Sequence, residues 1–156
     1  MASFLSGRSD FLRQNRNILL RIQKIECGVP QGAVLSPTLF SLYINDIPTI
    51  FNKNKEYSLL FADDLVRFFI FKKAGHINAK IKSYLKQLEN WLLKWRMKMQ
   101  SKKCNSIIFN VNSDKSINEM IKGNLFNEVI PACEMIRFLG ITFDIGLTFG
   151  KHVEEI

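Results

Sequence analysis

The chain has 156 residues, 47% hydrophobic and 23% charged, which is the composition of one globular domain with a core and excludes an intrinsically disordered chain. No stretch approaches the roughly 18 consecutive apolar residues of a membrane span, and "MASFLSGRSDFLRQNRN" lacks the apolar run of a secretory leader, so a soluble intracellular chain, nuclear or cytoplasmic and with no membrane partner, is expected. Net charge is +8 and concentrated: residues 65–110 hold 11 Lys and Arg against a single acid, whereas residues 1–64 and 111–156 are near balance or acidic. Such a block fits a polyanion partner, nucleic acid above all, and equally a lysine-rich solvated helix face. Cys27, Cys104 and Cys133 are too few and too scattered for a disulfide framework or a CxxC zinc site, and read as small buried or half-buried residues.

In chain order, "ILLRIQKIEC" alternates partly and fits a strand or ribbon, with the polar "RQNRN" before it as a turn. "GVPQG" at residues 28–32 forces a loop, because its glycines reach unusual dihedrals and Pro30 fixes its own. A short helix follows, with Ser36 as N-cap, Pro37 at the first helical position, Leu39, Phe40, Tyr43 and Ile44 at helical spacing, and Pro48 as the stop. The loop amides and the helix start could approach a phosphate or base closely, and could equally make a plain turn. Residues 56–61 and 65–71 read as strands of a hairpin turning at Ala62, Asp63 and Asp64. From Gly75 to Met99 apolar residues recur every three or four positions, predicting one long amphipathic helix with Trp91 and Trp95 on its apolar face. "SIIFNV" at 106–111 predicts a strand, and "MIRFLGITFDIG" at 135–146 another, bent at Gly140. Strands and helices are intermixed, so the fold class is α+β, an antiparallel sheet with helices packed on one face.

The unusual feature is the placement of Asp63 and Asp64 at the centre of the most apolar stretch, "YSLLFADDLVRFFIF". Adjacent carboxylates repel and are costly to desolvate, so they belong at a solvated turn or beside a cation. Alone, the dipeptide is ordinary turn chemistry. What narrows the choice is the order of segments: "GVPQGAVLSPTLFSLYINDIP", the "FADD" hairpin, "WLLKWRMKMQSKKCNSIIF" and "FLGITF".

In that order and spacing the chain resembles the reverse transcriptase palm of non-LTR retrotransposons, of jockey-like type. The four segments are similar to that family's motifs B, C, D and E, and "GLTFGKHVEEI" resembles the start of the thumb. The resemblance implies a partial palm over residues 1–145 and the start of the thumb or connection over 146–156. It implies an RNA-directed DNA polymerase that extends a DNA primer on an RNA template with deoxynucleoside triphosphates, by nucleotidyl transfer at two Mg²⁺ ions. By the same carry-over Asp63 is the principal metal ligand and Asp64 the lesser. Phe61 stands where tyrosine is common. Gly28, Pro30, Gln31 and Gly32 line the nucleotide and template pocket. Lys103 is a candidate general acid for pyrophosphate; alone it reads as a surface lysine. Phe138, Leu139 and Gly140 form the primer grip, or else pack as a core strand.

The family's motif A, which carries another metal-binding aspartate, would lie upstream of the first residue, and Asp10 in its polar surroundings is no substitute. The expectation is therefore a fragment inactive alone, with the N-terminal part of the polymerase as a further partner, an unpaired sheet edge and exposed apolar surface. The alternative is a non-catalytic nucleic-acid-binding remnant that uses the basic segment from Arg67 to Lys103.

Overall fold

The computed structural model describes residues 5–14, 17–25, 27–47, 56–71, 74–109 and 122–156. The chain divides into two compact units, Met1–Asp46 with Phe61–Asp64, and Ile47–Leu60 with Leu65–Ile156.

In the first unit, strands β1 (Ser9–Gln14) and β2 (Asn17–Lys24) pair antiparallel, Ser9 opposite Lys24 and Gln14 opposite Asn17, with a register shift between Phe11 and Arg13. The expected ribbon is therefore present. The ladder continues one step through Ile25, whose N–H donates to the Arg8 carbonyl at 2.9 Å. Helix α1 (Ser36–Ile44) follows the glycine-bounded loop. Leu35, not Ser36, holds the N-cap position, and Ser36 is the first helical residue. Its hydroxyl makes no cap; it is buried and donates instead to the Pro30 carbonyl. As the first helical residue it is one position too far along the chain to cap, and its hydroxyl, buried with it, takes the nearby loop carbonyl as its acceptor. Pro37 lies within the first turn, where its missing N–H costs nothing. The expected stop at Pro48 lies outside the described residues.

Strands β3 (Glu56–Phe61) and β4 (Asp64–Phe69) bond to each other across the two-residue turn Ala62–Asp63, a connection that only antiparallel strands can make. Asp64 thus belongs to the strand and not to the turn. Apolar side chains on both faces of β3, Leu59 and Leu60 among them, are exposed.

In the second unit, helix α2 (Ala74–Lys94) buries Ile77, Tyr84, Leu85, Leu88, Trp91 and Leu92 along one stripe. It ends five residues before the expected Met99. Arg96 takes a left-handed φ of 52° and donates its N–H to Leu93, while the Met97 N–H returns to Leu92 at 2.8 Å. This pair of bonds is a Schellman stop, which satisfies the terminal carbonyls while the apolar spacing of Trp95 and Met99 runs on. The indole rings of Trp91 and Trp95 lie 6.1 Å apart, Trp91 buried, as core residues do.

Against α2 packs a hairpin of β5 (Gly123–Leu125) and β6 (Glu128–Ile130), with Leu125 1% exposed. A Cβ on Gly123 would sit 3.0 Å from a Leu85 methyl, so glycine allows the close approach. The Glu89 carboxylate on α2 accepts the Phe126 N–H at 2.6 Å, and Ser101 donates to Glu128, so both bonds hold the turn end of the hairpin.

Of the expected strand at 106–111, only Ser106 pairs among the described residues, in an isolated parallel bridge with Ala132. Residues 135–146 are likewise not one bent strand. They form a hairpin of β7 (Met135–Phe138) and β8 (Ile141–Asp144) with Phe138 opposite Ile141. Leu139 and Gly140 have φ of 47° and 84°, the two positive dihedrals of a tight primed turn. Helix α3 (Gly150–Glu154) folds back on β8, with Thr142 donating to Glu155 at 2.8 Å and the rings of Phe143 and Phe149 5.7 Å apart. The class is α+β with antiparallel pairing and packed helices, but among the described residues the strands form four two-stranded sheets and not one. Each strand takes the partner its tight turn brings first, where closure costs least.

Candidate functional site

Asp63 lies in the β3–β4 turn and Asp64 opens β4; both carboxylates are exposed. Ala62 before them is held at a φ of 50°, a left-handed conformation that costs a residue with a Cβ about 1–2 kcal/mol. Phe61 is 62% exposed at the end of β3. This tip, Phe61–Asp64, groups with residues 1–46 in one compact unit, which also contains the 28–32 loop.

In that loop Gly28 and Gly32 each adopt a φ of 79°, and a Cβ built on either meets nothing within 4 Å. The glycines are thus required for the turn of the backbone, and the space beside them is open. Gln31 is exposed and Pro30 half-buried. Two residues that the sequence did not assign to this loop hold it. The Arg8 guanidinium donates to the carbonyls of Gly28 at 2.7 Å and Cys27 at 3.3 Å, and Ser36 donates to that of Pro30. Cys104 and Cys133 are half-buried, within the expected buried or half-buried range, whereas Cys27 is exposed because it lies on this loop; all three are free. Burial pushes the Cys104 thiol above its ordinary pKa.

Lys103 and the Phe138–Gly140 turn belong to the other unit. Lys103 ends a short 3₁₀ turn (Ser101–Lys103) and is exposed, its N–H on the Gln100 carbonyl at 2.8 Å. Phe138 is half-buried and Leu139 50% exposed at the tip of its hairpin, so Leu139 is not a core residue. The basic segment is mostly surface: Lys82, Lys94, Lys98, Lys102 and Lys103 are exposed, while Lys86 pairs with Glu89 at 3.2 Å. Arg67 departs from it, half-buried and donating to Ser58 at 2.7 Å.

Among the described residues no three His, Cys, Asp or Glu side chains converge on one point. Asp63 and Asp64 are nevertheless an adequate donor set for Mg²⁺, which is usually held by one or two carboxylates and completed by substrate phosphate and water.

Residues 2–143 match the family model described as "Reverse transcriptase (RNA-dependent DNA polymerase)". The chain belongs to the reverse transcriptase family. It is related to jockey-like non-LTR retrotransposon polymerases at moderate identity. It is 30% identical over 140 residues to the RNA-directed DNA polymerase from mobile element jockey of Drosophila melanogaster, covering 86% of this chain and 15% of that protein. The jockey polymerase of Drosophila funebris is 28% identical over 145 residues, with the same coverage of 86% and 15%. A probable RNA-directed DNA polymerase from transposon X-element of Drosophila melanogaster is 28% identical over 160 residues, covering 100% of this chain and 17% of the relative. The chain thus spans about one sixth of the length of these curated relatives. No solved structure matches it significantly. Reverse transcriptases generally use Mg²⁺, and the family implies nucleic-acid substrates. Among the described residues, no helix is long and apolar enough to cross a membrane.

Proposed function

We propose that residues 1–145 form part of the palm of an RNA-directed DNA polymerase and residues 146–156 the start of its thumb, acting in nucleotidyl transfer from deoxynucleoside triphosphates to a DNA primer on an RNA template. The observation that carries this reading is the exposed Asp63–Asp64 pair at a strained hairpin tip, grouped in one compact unit with the glycine-bounded loop, in a chain of this family. Asp63 and Asp64 would hold Mg²⁺, which when bound as two ions activates the primer 3′-hydroxyl and neutralises charge on the leaving pyrophosphate. Their exposure leaves both carboxylates open to a hydrated cation. Gly28, Pro30, Gln31 and Gly32 border the nucleotide and its template base, with Phe61 as a further residue of that pocket. Lys103 donates a proton from Nζ to the pyrophosphate oxygen as it leaves. Phe138, Leu139 and Gly140 support the primer strand.

Because the chain covers 15% of the jockey relative, the test replaces the equivalent stretch of that polymerase with these residues and measures primer extension on a primed RNA template with Mg²⁺. Extension that Asp63→Asn abolishes is expected, whereas extension insensitive to Asp63→Asn overturns the reading. A second measurement uses the chain itself: Mn²⁺ added as a paramagnetic probe should broaden backbone resonances around Ala62–Leu65, and Asp63→Asn should remove the effect.

The exposed lysines of α2 and the segment after it favour a second reading, a nucleic-acid-binding chain without chemistry. It requires RNA or DNA binding that weakens steeply with salt and is unchanged by Asp63→Asn.

A further inference from the structure

Arg8 precedes the loop by about twenty residues, and the β1–β2 ribbon closes that distance. Its backbone carbonyl is fixed at the base of the ribbon by the Ile25 N–H at 2.9 Å, while its half-buried guanidinium reaches across to two successive loop carbonyls, Cys27 at 3.3 Å and Gly28 at 2.7 Å. Its Nε also donates to the Leu5 carbonyl at 3.3 Å, so the guanidinium plane is held from both sides. Bonds from a charged donor to carbonyls are stronger than neutral ones. On the far side of the loop the Ser36 hydroxyl takes the Pro30 carbonyl.

Peptide geometry turns these anchors into an orientation. The chain has no cis peptide bonds, and in a trans peptide the C=O of one residue points opposite to the N–H of the next. With the Cys27, Gly28 and Pro30 carbonyls turned toward Arg8 and Ser36, the N–H groups of Gly28, Val29 and Gln31 point away from them. Among the described residues no hydrogen bond occupies those three groups. The positive φ of Gly28 is what lets successive peptide planes adopt this arrangement, and the space beside Gly28 and Gly32 is open.

We propose that Arg8, seconded by Ser36, is a positioning residue that holds the 28–32 loop with its free amides presented to the incoming nucleotide. This rests on the polymerase reading above. Arg8 touches no reacting atom; it removes the loop's freedom before substrate arrives, so its contribution falls on substrate binding and leaves the chemical step alone.

The test has two arms. In the chain itself, nitrogen-15 relaxation should show lower backbone order parameters confined to residues 27–33 in Arg8→Ala, because the loop amides are unbonded and order, not protection, is what Arg8 supplies. Order parameters unchanged there, or lowered throughout the chain, overturn the proposal. In the jockey polymerase carrying these residues, Arg8→Ala should raise the KM for a deoxynucleoside triphosphate about tenfold while kcat stays within about twofold. Arg8→Lys, which keeps a single charged donor, should give an intermediate KM. An unchanged KM, or a loss confined to kcat, overturns the proposal. Should Arg8→Ala fail to fold in either setting, Ser36→Ala decides by the same KM readout, being a deletion of one oxygen. Asp63→Asn run alongside separates the two claims. If it leaves extension intact, the polymerase reading falls; if it abolishes extension while Arg8→Ala and Ser36→Ala leave KM alone, only the positioning role falls.

Discussion

The Arg67 guanidinium lies 4.8 Å from the ring centroid of Tyr84, a cation over the face of a buried aromatic ring. The same group sits 5.3 Å from the Phe69 ring and donates to Ser58, so one side chain ties β3 and β4 to helix α2. The Tyr84 hydroxyl, buried with the ring, has no hydrogen-bond partner among the described residues. Tyr84→Phe keeps the ring and discards the unsatisfied hydroxyl, so it is expected to stabilise the fold by about 1 kcal/mol. Tyr84→Leu, which also discards the cation–π contact, is expected to destabilise it by about 1–2 kcal/mol. Urea unfolding of the three proteins checks both signs.

Burial raises the Tyr84 pKa above its ordinary 10.0, with the Arg67 charge partly offsetting the rise. Above about pH 10 the unfolded chain gives up this proton more readily than the folded one, so stability falls as pH rises through the folded pKa. The difference in unfolding free energy between the parent chain and Tyr84→Phe should therefore be flat below about pH 9 and grow in favour of the phenylalanine variant toward pH 11. A difference that stays flat across that window would show that Tyr84 ionises equally easily in both states.

Much of this architecture was legible in the sequence because it is local. The "ADD" turn, the α2 stripe from Ile77 to Leu92 and the glycine-bounded loop all declare themselves through spacing within a few residues. What was not legible depends on closure between distant segments. Arg8 in "SGRSD" carries no signal that a ribbon will bring it to Gly28, and Ser36 reads as a cap because its alternative partner, Pro30, is visible only once the loop has folded back. The hairpin at 135–144 was missed for another reason. Leu139–Gly140 lacks the Asn-Gly or Asp-Gly pair that marks a tight turn, and leucine at a φ of 47° is a choice the sequence does not announce.

Arg96 ends α2 in the left-handed conformation that glycine adopts most easily. Arg96→Gly is expected to raise stability by about 1 kcal/mol through relief of the Cβ clash, with the Met97-to-Leu92 bond unchanged. Arg96→Val, branched at Cβ, should lower it. Thermal melts of the two variants at one protein concentration distinguish them; equal shifts would mean that the stop does not constrain this residue.

Exposed apolar residues on β3, with Tyr57 at 54%, Leu59 at 53% and Phe61 at 62%, give the β3–β4 sheet an uncovered surface. Such a face promotes association between chains. Leu59→Lys should reduce light scattering at high concentration and leave the melting temperature within a few degrees, since the side chain loses little burial on substitution. A large drop in melting temperature instead would mean that Leu59 supports the folded chain.

Asp144 shapes the C-terminal turn. Its carboxylate accepts the N–H groups of Gly146, Thr148 and Phe149 at 3.0, 3.0 and 2.8 Å and the Thr148 hydroxyl at 2.9 Å. The Thr148 N–H contributes most to holding the carboxyl below the ordinary aspartate range; desolvation opposes it as the next largest influence, and the bonds from the Thr148 hydroxyl, Phe149 and Gly146 add to the lowering. A depressed pKa means that the folded chain releases this proton more readily than the unfolded one, so the stabilisation is full above the ordinary value of about 3.9 and is lost as pH falls through the folded pKa. Carbon-13 NMR of the Asp144 carboxyl should give a midpoint below that ordinary value. Asp144→Asn keeps an oxygen acceptor but not the charge, and should weaken the turn at neutral pH while matching the parent chain in strong acid. Fraying of α3, read as loss of amide protection at 148–154 relative to the intrinsic exchange rate at each pH, should follow the same dependence: unprotected in Asp144→Ala at every pH, and unprotected in the parent chain only once the carboxylate has been protonated.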